Sequence, residues 1–478
     1  MSQAPALVWF RNDLRLEDNP ALHAARACGA PVVALYVLDE NLSYAPGAAS
    51  RWWLHHSLKS LSEALEKAGA SLVLRRGESA ESVKSVIAET GASHVFWNRR
   101  YEGPLVDTDK ALKAELHEQG VDVATFNGAL LREPWEVKTK TGGAYSVFTP
   151  FWKALRNLGP ARDPLPKIRK IKGADAISSD HLDDWGLLPY APNWAKEFDG
   201  VWKPGEKGAQ EQLKRFLTHI IEDYADQRDR PDFESTSRLS PHLAFGEISP
   251  VQIWRAIHTG MAAGAIGPNN GEKFLSEIAW REFSYNILFN NLTLVSQPLR
   301  QNFKDFPWRE DEPAFKAWTR GMTGFPIVDA GMRQLWRTGW MHNRVRMIVA
   351  SFLLKDLLID WRKGEAWFRD TLVDADIANN AASWQWVAGS GADAAPYFRI
   401  FNPVTQGEKF DPDGDYVRCY VPELADLPKK FIHAPWTAPV SALEKAGITL
   451  GKTYPIPIID HSVARKRALR CYDAIKGG

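Results

Sequence analysis

The hydrophobic period of this chain changes once and does not change back. Through about residue 131, short apolar runs alternate with segments of helical period; beyond about residue 204 only the helical period remains. "ALVWF", "PVVALYVL", "SLVLRR", "HVFWNRR" and "VDVATF" read as buried strands. "RWWLHHSLKSLSEALEKAG", "ESVKSVIAETG" and "TDKALKAELHEQG" carry apolar residues at helical spacing and each closes on glycine. This alternation predicts an α/β domain built on a doubly wound, Rossmann-like parallel sheet, which takes ligands at the carboxyl ends of its strands. It has no G-x-G-x-x-G, so the standard dinucleotide fingerprint is missing.

Residues 132–203 lose the periodicity. "LGPARDPLPKIRKIKG" and "LLPYAPNWAKEF" are proline-rich and mixed, which predicts an interdomain linker. From residue 204 to 478, "EQLKRFLTHIIEDYADQRD", "KFLSEIAWREFSYNILFNN", "FPIVDAGMRQLWRTGW" and "HNRVRMIVASFLLKDLLID" predict a large all-α domain. No run approaches the ~18 apolar residues of a membrane span. The opening "MSQAPALVWFRNDLR" is not a secretory signal. Cys28, Cys419 and Cys471 are too few and too far apart for a disulfide framework or a metal knuckle. The expectation is a monomer in a reducing cytoplasm, with no metal. A net charge of +1 selects no partner, although a local basic patch is compatible with it. Tryptophan is the informative residue: 20 Trp against 6 Met suit an aromatic core, stacking platforms or electron carriers.

Four clusters in the second half carry chemistry. In "DADIANNAASWQW", a helix places Asp376, Asn380 and Trp384 on one stripe, and Trp386 about 200° round from Trp384. The plainer alternative is a core helix with Asp374 near its N-cap. "STSRLSPHLAFGEISP" reads as a hydroxyl-rich loop with Arg238 entering a helix, a setting that suits phosphate or an ordinary cap. "SEIAWREF" spaces Glu277 and Arg281 as an i, i+4 pair around Trp280, which otherwise reads as core. "GWMHNRVRM" holds His342, Asn343, Arg344 and Arg346, a set for phosphate or aspartate or else a solvated helix face.

These clusters in this order resemble the photolyase/cryptochrome family. The resemblance runs from "LVWFRNDLRLEDNPAL" to "YPIPIIDHSVARKRAL" and rests on "TSRLSPHLAFGEIS", "WREF", "TGFPIVDAGMRQLWRTGWMHNRVRM" and "NNAASWQW". It implies an antenna-binding α/β domain and a helical domain holding FAD, functional as FADH−. The implied FAD residues are Tyr224, Thr236, Ser237, Arg238, Leu239, Ser240, Phe274, Asn343, Arg346, Asp374, Asp376 and Asn380. Phe274 stands where some members carry Trp. Hydroxyls and amides suit pyrophosphate, carboxylates suit ribose and ring N–H, and an Asn amide suits flavin N5.

The resemblance further implies light-driven repair of cyclobutane pyrimidine dimers flipped out of double-stranded DNA. Glu277, Asn380, Trp280 and Trp386 are the implied catalytic set. Arg228, Glu277, Trp280, Arg281, Asn343, Arg344, Met347 and Trp386 are the implied DNA and lesion contacts. Trp384, Trp361 and Trp308 match the photoreduction chain. Asn380 stands where plant cryptochromes tend to carry Asp, "MHNRVRM" lacks the paired histidines of (6-4) photolyases, and the sequence ends at Gly478 soon after the last motif. These features favour class I or class III dimer repair over blue-light signalling. A third possibility is a nucleotide-binding protein without photochemistry. For the antenna, Arg51, Tyr101 and Glu102 suggest methenyltetrahydrofolate, with a deazaflavin or no antenna as alternatives. Trp52 and Trp53 are expected to pack their helix on the sheet.

Overall fold

The computed structural model describes residues 3–42, 44–394 and 398–476. Five strands, β1 (Ala6–Phe10), β2 (Val32–Leu38), β3 (Leu72–Arg76), β4 (His94–Asn98) and β5 (Asp122–Phe126), form one sheet in the order β3-β2-β1-β4-β5. Every neighbouring pair is parallel, with Leu7 opposite Val33 and Val95. Every position of β1 and β2 is buried, as a sheet covered on both faces requires. Between the strands run α1 (Pro20–Ala27), α2 (Ala48–Ala68), α3 (Ser79–Thr90) and α4 (Gly103–Glu118). Val83, Val86, Leu112 and Leu116 of α3 and α4 pack on Leu7, Trp9, Leu35, Val95 and Trp97. Gly69 and Gly91 end α2 and α3 at φ +100° and +65°, a conformation that strains any side chain.

Strand order reverses between β1 and β4, where such sheets open a crevice. Here the chain fills it. Arg11 is buried against Asp109 at 2.5 Å, with its guanidinium 4.7 Å from the Trp9 ring centre, and Arg100 reaches the same carboxylate at 2.6 Å.

The stretch expected as a linker contains α5 (Phe148–Leu158), whose Pro150 lies in the tolerant first turn. After it come α6 (Glu206–His219), α7 (Tyr224–Gln227), α8 (Ser240–Ala244), α9 (Pro250–Ala262) and α10 (Pro268–Asn290). Then follow α11 (Glu312–Thr319), α12 (Pro326–Thr338), α13 (Asn343–Ser351), α14 (Trp361–Thr371) and α15 (Ile377–Ala388). The last four are α16 (Pro403–Phe410), α17 (Asp415–Tyr420), α18 (Val440–Lys445) and α19 (His461–Ile475). Two expected helices are broken. "EQLKRFLTHIIEDYADQRD" turns through a 3-10 segment, Ile221–Asp223, and "HNRVRMIVASFLLKDLLID" passes into a π turn at Phe352–Asp356. Among the described residues, no helix is long and apolar enough to cross a membrane.

Two compact units emerge. The first gathers Met1–Glu222, Ser237–Leu292 and Val373–Ala378; the second gathers Asp223–Thr236, Thr293–Leu372 and Asn379–Gly478. Trp52 and Trp53 are buried as expected, but against other partners than the sheet alone. The Trp53 indole N–H donates to Glu247 at 2.9 Å beneath Trp202 and Phe245, and Trp52 meets Phe198 edge-on.

Candidate active site

In the first unit, the loop ahead of α8 is built from its own polar groups. Gln212 donates to the Ser237 carbonyl at 2.7 Å, and the Ser237 hydroxyl accepts from Leu239 N at 3.4 Å. Arg238 sits at φ +50°, a left-handed conformation that only surrounding structure can hold in a non-glycine residue. Ser240 opens α8, and Leu239 is buried. α8 has only five residues, so its end offers little of the dipole expected of a helix start.

α10 carries Phe274, Glu277, Trp280 and Arg281. Phe274 is buried, its ring centre 4.4 Å from Phe216. The expected Glu277–Arg281 pair gives way to another arrangement: Lys273, one turn back, is 3.5 Å from Glu277. Arg281 is buried, donates to Ala129 O at 2.7 Å and lies 4.8 Å from the Tyr285 ring centre. It therefore faces the protein interior, which corrects its expected place among the DNA contacts. Trp280 is half-buried and stacks face to face on Phe148 of α5, centroids 3.7 Å apart at 7°.

The loop before α15 brings Asp374 and Asp376. The helix starts at Ile377, so neither aspartate is inside it; the expected stripe keeps Asn380 and Trp384 and loses Asp376 to the preceding turn. Asp374 is buried. Asp376 accepts from the Tyr285 hydroxyl at 2.6 Å. The field of Asp376 also reaches Glu102, whose carboxyl is pushed up chiefly by burial.

In the second unit, Asn380 is buried and its amide nitrogen donates twice to Glu365 of α14, to the carbonyl at 3.2 Å and the carboxylate at 2.8 Å. Both acceptors lie on one side, so the amide oxygen is turned the other way. Trp384 is buried edge-on to Phe368 at 5.0 Å and to Trp318 at 6.3 Å. It covers Gly364, which lies one turn after buried Trp361 on the same helix. Trp308 is half-buried, and the amide of the next residue, Arg309, donates to Leu358 O at 2.7 Å, three residues before Trp361. The three tryptophans thus sit on connected segments, buried at Trp384 and Trp361 and partly exposed at Trp308. Trp386 points away from Trp384, as the helical period predicts. It donates its indole N–H to Asp393 O at 3.1 Å, and Asp393 is held at φ +51°.

His342 caps α13, its Nδ1 accepting from Arg344 N at 3.2 Å. Burial pushes this imidazole down to about 4. Asn343 is exposed at the first position of α13. Arg346 donates to Met341 O at 2.8 Å, and Arg344 pairs with Asp229 at 2.6 Å and approaches the Met347 sulfur at 3.8 Å. Tyr224 is buried with the Arg228 guanidinium 5.7 Å from its ring, and Thr236 is half-buried.

The antenna candidates divide. Tyr101 is buried, donates to Glu133 at 2.9 Å and meets Tyr285 edge-on at 5.9 Å. Glu102 accepts from Tyr101 N at 3.0 Å and opens α4. Arg51 pairs instead with Glu40, after β2. Tyr101 and Glu102 are adjacent, and Arg51 is engaged elsewhere.

An FAD molecule asks for donors to phosphate, acceptors for ribose and ring N–H, and a group for N5. The hydroxyl loop with Arg238, the two aspartates and the oriented Asn380 amide supply these types, so the donor set fits. Comparison with known proteins agrees. Residues 6–169 match the model described as DNA photolyase, and residues 274–474 match the FAD binding domain of DNA photolyase. A deoxyribodipyrimidine photo-lyase from Agrobacterium fabrum is 54% identical, the alignment covering 100% of this chain and 99% of that protein. This chain belongs to the DNA photolyase family. A crystal structure of a class III photolyase from Agrobacterium tumefaciens superposes with a TM-score of 0.97 at 54% identity, covering 100% and 99% of the two chains. Cryptochrome-1 of Arabidopsis thaliana is 42% identical over 97% of this chain and 69% of its own length.

Sequence reasoning about this photolyase-family chain missed Glu365, Tyr285, Gly364 and Phe148. Glu365 and Tyr285 lie 15 and 91 residues from the side chains they hold, so no local spacing signals them. Gly364 did carry a signal: an isolated glycine inside a helical pattern marks close packing.

Proposed function

We propose that this chain is a light-driven deoxyribodipyrimidine photo-lyase, splitting cyclobutane pyrimidine dimers in double-stranded DNA. The observation that carries the reading is the two-sided end of α15. Asn380 and Trp384 line one side and Trp386 turns to the other, each fixed by its own partner. When bound, FAD in its reduced anionic form supplies, on illumination, the electron that opens the dimer, and recovers it afterwards. The chain's residues do the rest. Ser237, Arg238, Leu239, Ser240, Phe274, Asp374 and Asp376, with Tyr224, Thr236, Asn343, Arg346 and Asn380, are the residues that hold the cofactor. The Asn380 amide, whose nitrogen is engaged by Glu365, would offer its oxygen as an acceptor for a protonated flavin N5. Trp384, Trp361 and Trp308 carry electrons inward from the surface.

Glu277 hydrogen-bonds the dimer carbonyl, where negative charge develops. Trp280 and Trp386 offer aromatic faces to the flipped bases, with Asn343 and Met347 beside the lesion. Arg344 belongs with these cavity residues, and Arg228 contacts phosphate. The functional division is then 1–131 for the antenna, 132–203 as linker and 204–478 for FAD and DNA. Identity of 54% to the class III enzyme, against 40% to the Escherichia coli photo-lyase, favours the class III branch. The antenna reading is methenyltetrahydrofolate at Tyr101 and Glu102, with Arg51 at its edge. A released chromophore with deazaflavin absorption, or none, overturns that part. A cytoplasmic monomer is the accompanying reading. The test is blue-light restoration of a dimer-containing duplex by protein with fully reduced flavin; no restoration rejects the function.

A further inference from the structure

Tyr285 is buried in α10, and no motif pointed to it. Its ring is held edge-on by Tyr101 at 5.9 Å and covered by the Arg281 guanidinium at 4.8 Å. Arg281 is itself anchored on the Ala129 carbonyl at 2.7 Å. The ring therefore has one position, and its hydroxyl meets one oxygen of Asp376 at 2.6 Å. Asp376 is the residue immediately before Ile377, where α15 begins. A short bond from a neutral donor to a carboxylate is among the stronger hydrogen bonds, and it stops rotation of the acceptor. Burial and the neighbouring carboxylate together hold the phenol well above its ordinary range, so it remains a donor at every working pH.

We propose that Tyr285 is a positioning residue for FAD: it orients the Asp376 carboxylate toward the flavin ring edge and draws negative charge out of it. The inference rests on the reading of Asp376 as a flavin-holding group. The charge matters because reduced flavin is an anion and oxidised flavin is neutral. A fully charged carboxylate beside the ring disfavours reduction. A carboxylate whose charge is shared with a phenol disfavours it less. Tyr285 thereby raises the potential of the flavin while fixing the geometry that binds it.

The test uses full-length holoprotein and reads the flavin midpoint potential and the FAD dissociation constant. Tyr285→Phe keeps the ring contacts with Tyr101 and Arg281 and removes only the hydroxyl. The expected result is a lower midpoint potential and FAD binding weakened about tenfold, the scale of one lost hydrogen bond to a charged group. Asp376→Asn removes the charge and moves the potential the opposite way, upward. Tyr285→His restores an N–H donor and returns the potential part of the way. If Asp376→Asn leaves potential and affinity unchanged, Asp376 does not hold the flavin and both readings fall. If Asp376→Asn raises the potential but Tyr285→Phe changes neither quantity, or moves the potential upward as well, the role of Tyr285 is overturned and that of Asp376 stands.

Discussion

Gly364 of α14 lies beneath the indole of Trp384 so closely that a β-carbon there would overlap the ring and stand 2.7 Å from Leu353 Cδ2. This contact sets Trp384 one helical turn from Trp361, because Gly364 and Trp361 share a face. Gly364→Ala gains helix propensity of about 1 kcal/mol and loses more, since overpacking a core costs about 1–3 kcal/mol. The expected outcome is a lower melting temperature and photoreduction slowed at least severalfold. Repair by chemically pre-reduced enzyme changes little, because recharging the flavin is not part of splitting the dimer. Transient absorption and a single-turnover repair assay separate the two.

Asn380 owes its orientation to Glu365. Replacing it with Asp puts a second carboxylate 2.8 Å from the first, where two like charges do not both persist. Asn380→Asp is expected to shift the flavin's redox behaviour and to impair repair per absorbed photon. An unchanged quantum yield of repair with reduced flavin would sink the assigned role.

His342 gives stability a specific pH dependence. Its folded value of about 4 lies below the ordinary 6.5, so the unfolded chain takes up the proton first. The neutral ring's contribution is complete above about pH 6.5 and declines as pH falls toward 4, by on the order of 3 kcal/mol in total. Glu282 and Asp411 act in the opposite sense. Burial raises them to about 7 and about 6, so their contribution is present at low pH and is lost as pH rises through those values. The informative quantity is therefore a difference. His342→Asn keeps a capping side chain for Arg344 N. Measured by urea unfolding, the variant is expected to gain stability relative to the parent as pH falls from 6.5 toward 4, with little change at pH 8.

Glu282 offers the complementary measurement. One oxygen accepts from Leu131 N at 2.9 Å and Arg132 N at 3.3 Å; the other is buried with no hydrogen-bond partner among the described residues, and Arg281 Nη1 stands 3.7 Å from it. Glu282→Gln keeps a carbonyl acceptor and removes the cost of ionising in the interior. The variant is expected to melt higher than the parent at pH 8 and no higher at pH 5, as calorimetry at the two values would show.

The layout of the sheet was legible because each strand carries a short apolar run and the segments of α2, α3 and α4 each close on glycine; all five strands lie where those runs are. α5 was not, since Pro150 and the mixed composition around it hide an amphipathic turn. The opposite directions of Trp384 and Trp386 on α15 followed from the 3.6-residue period alone. Its start did not, because Asp374 and Asp376 are as compatible with a first turn as with the loop that holds them. What the sequence withheld are the partners. Glu365, Tyr285 and Phe148 act across the fold, and only packing brings them to Asn380, Asp376 and Trp280.

Phe148 leads to the last prediction. It stacks flat on Trp280, and such a pair contributes about 0.5–1.5 kcal/mol beyond the area it buries. Its effect is to hold the indole plane in place before a flipped base arrives. Phe148→Ala is expected to weaken binding of dimer-containing duplex by up to about tenfold while leaving undamaged duplex almost unaffected. Arg228→Ala should show no such selectivity. A lost phosphate contact weakens both duplexes alike and reduces the slope of log affinity against log salt by about one. Fluorescence anisotropy across a salt series distinguishes the two, and equal losses on both duplexes for Phe148→Ala would remove the stacked pair from the account of lesion recognition.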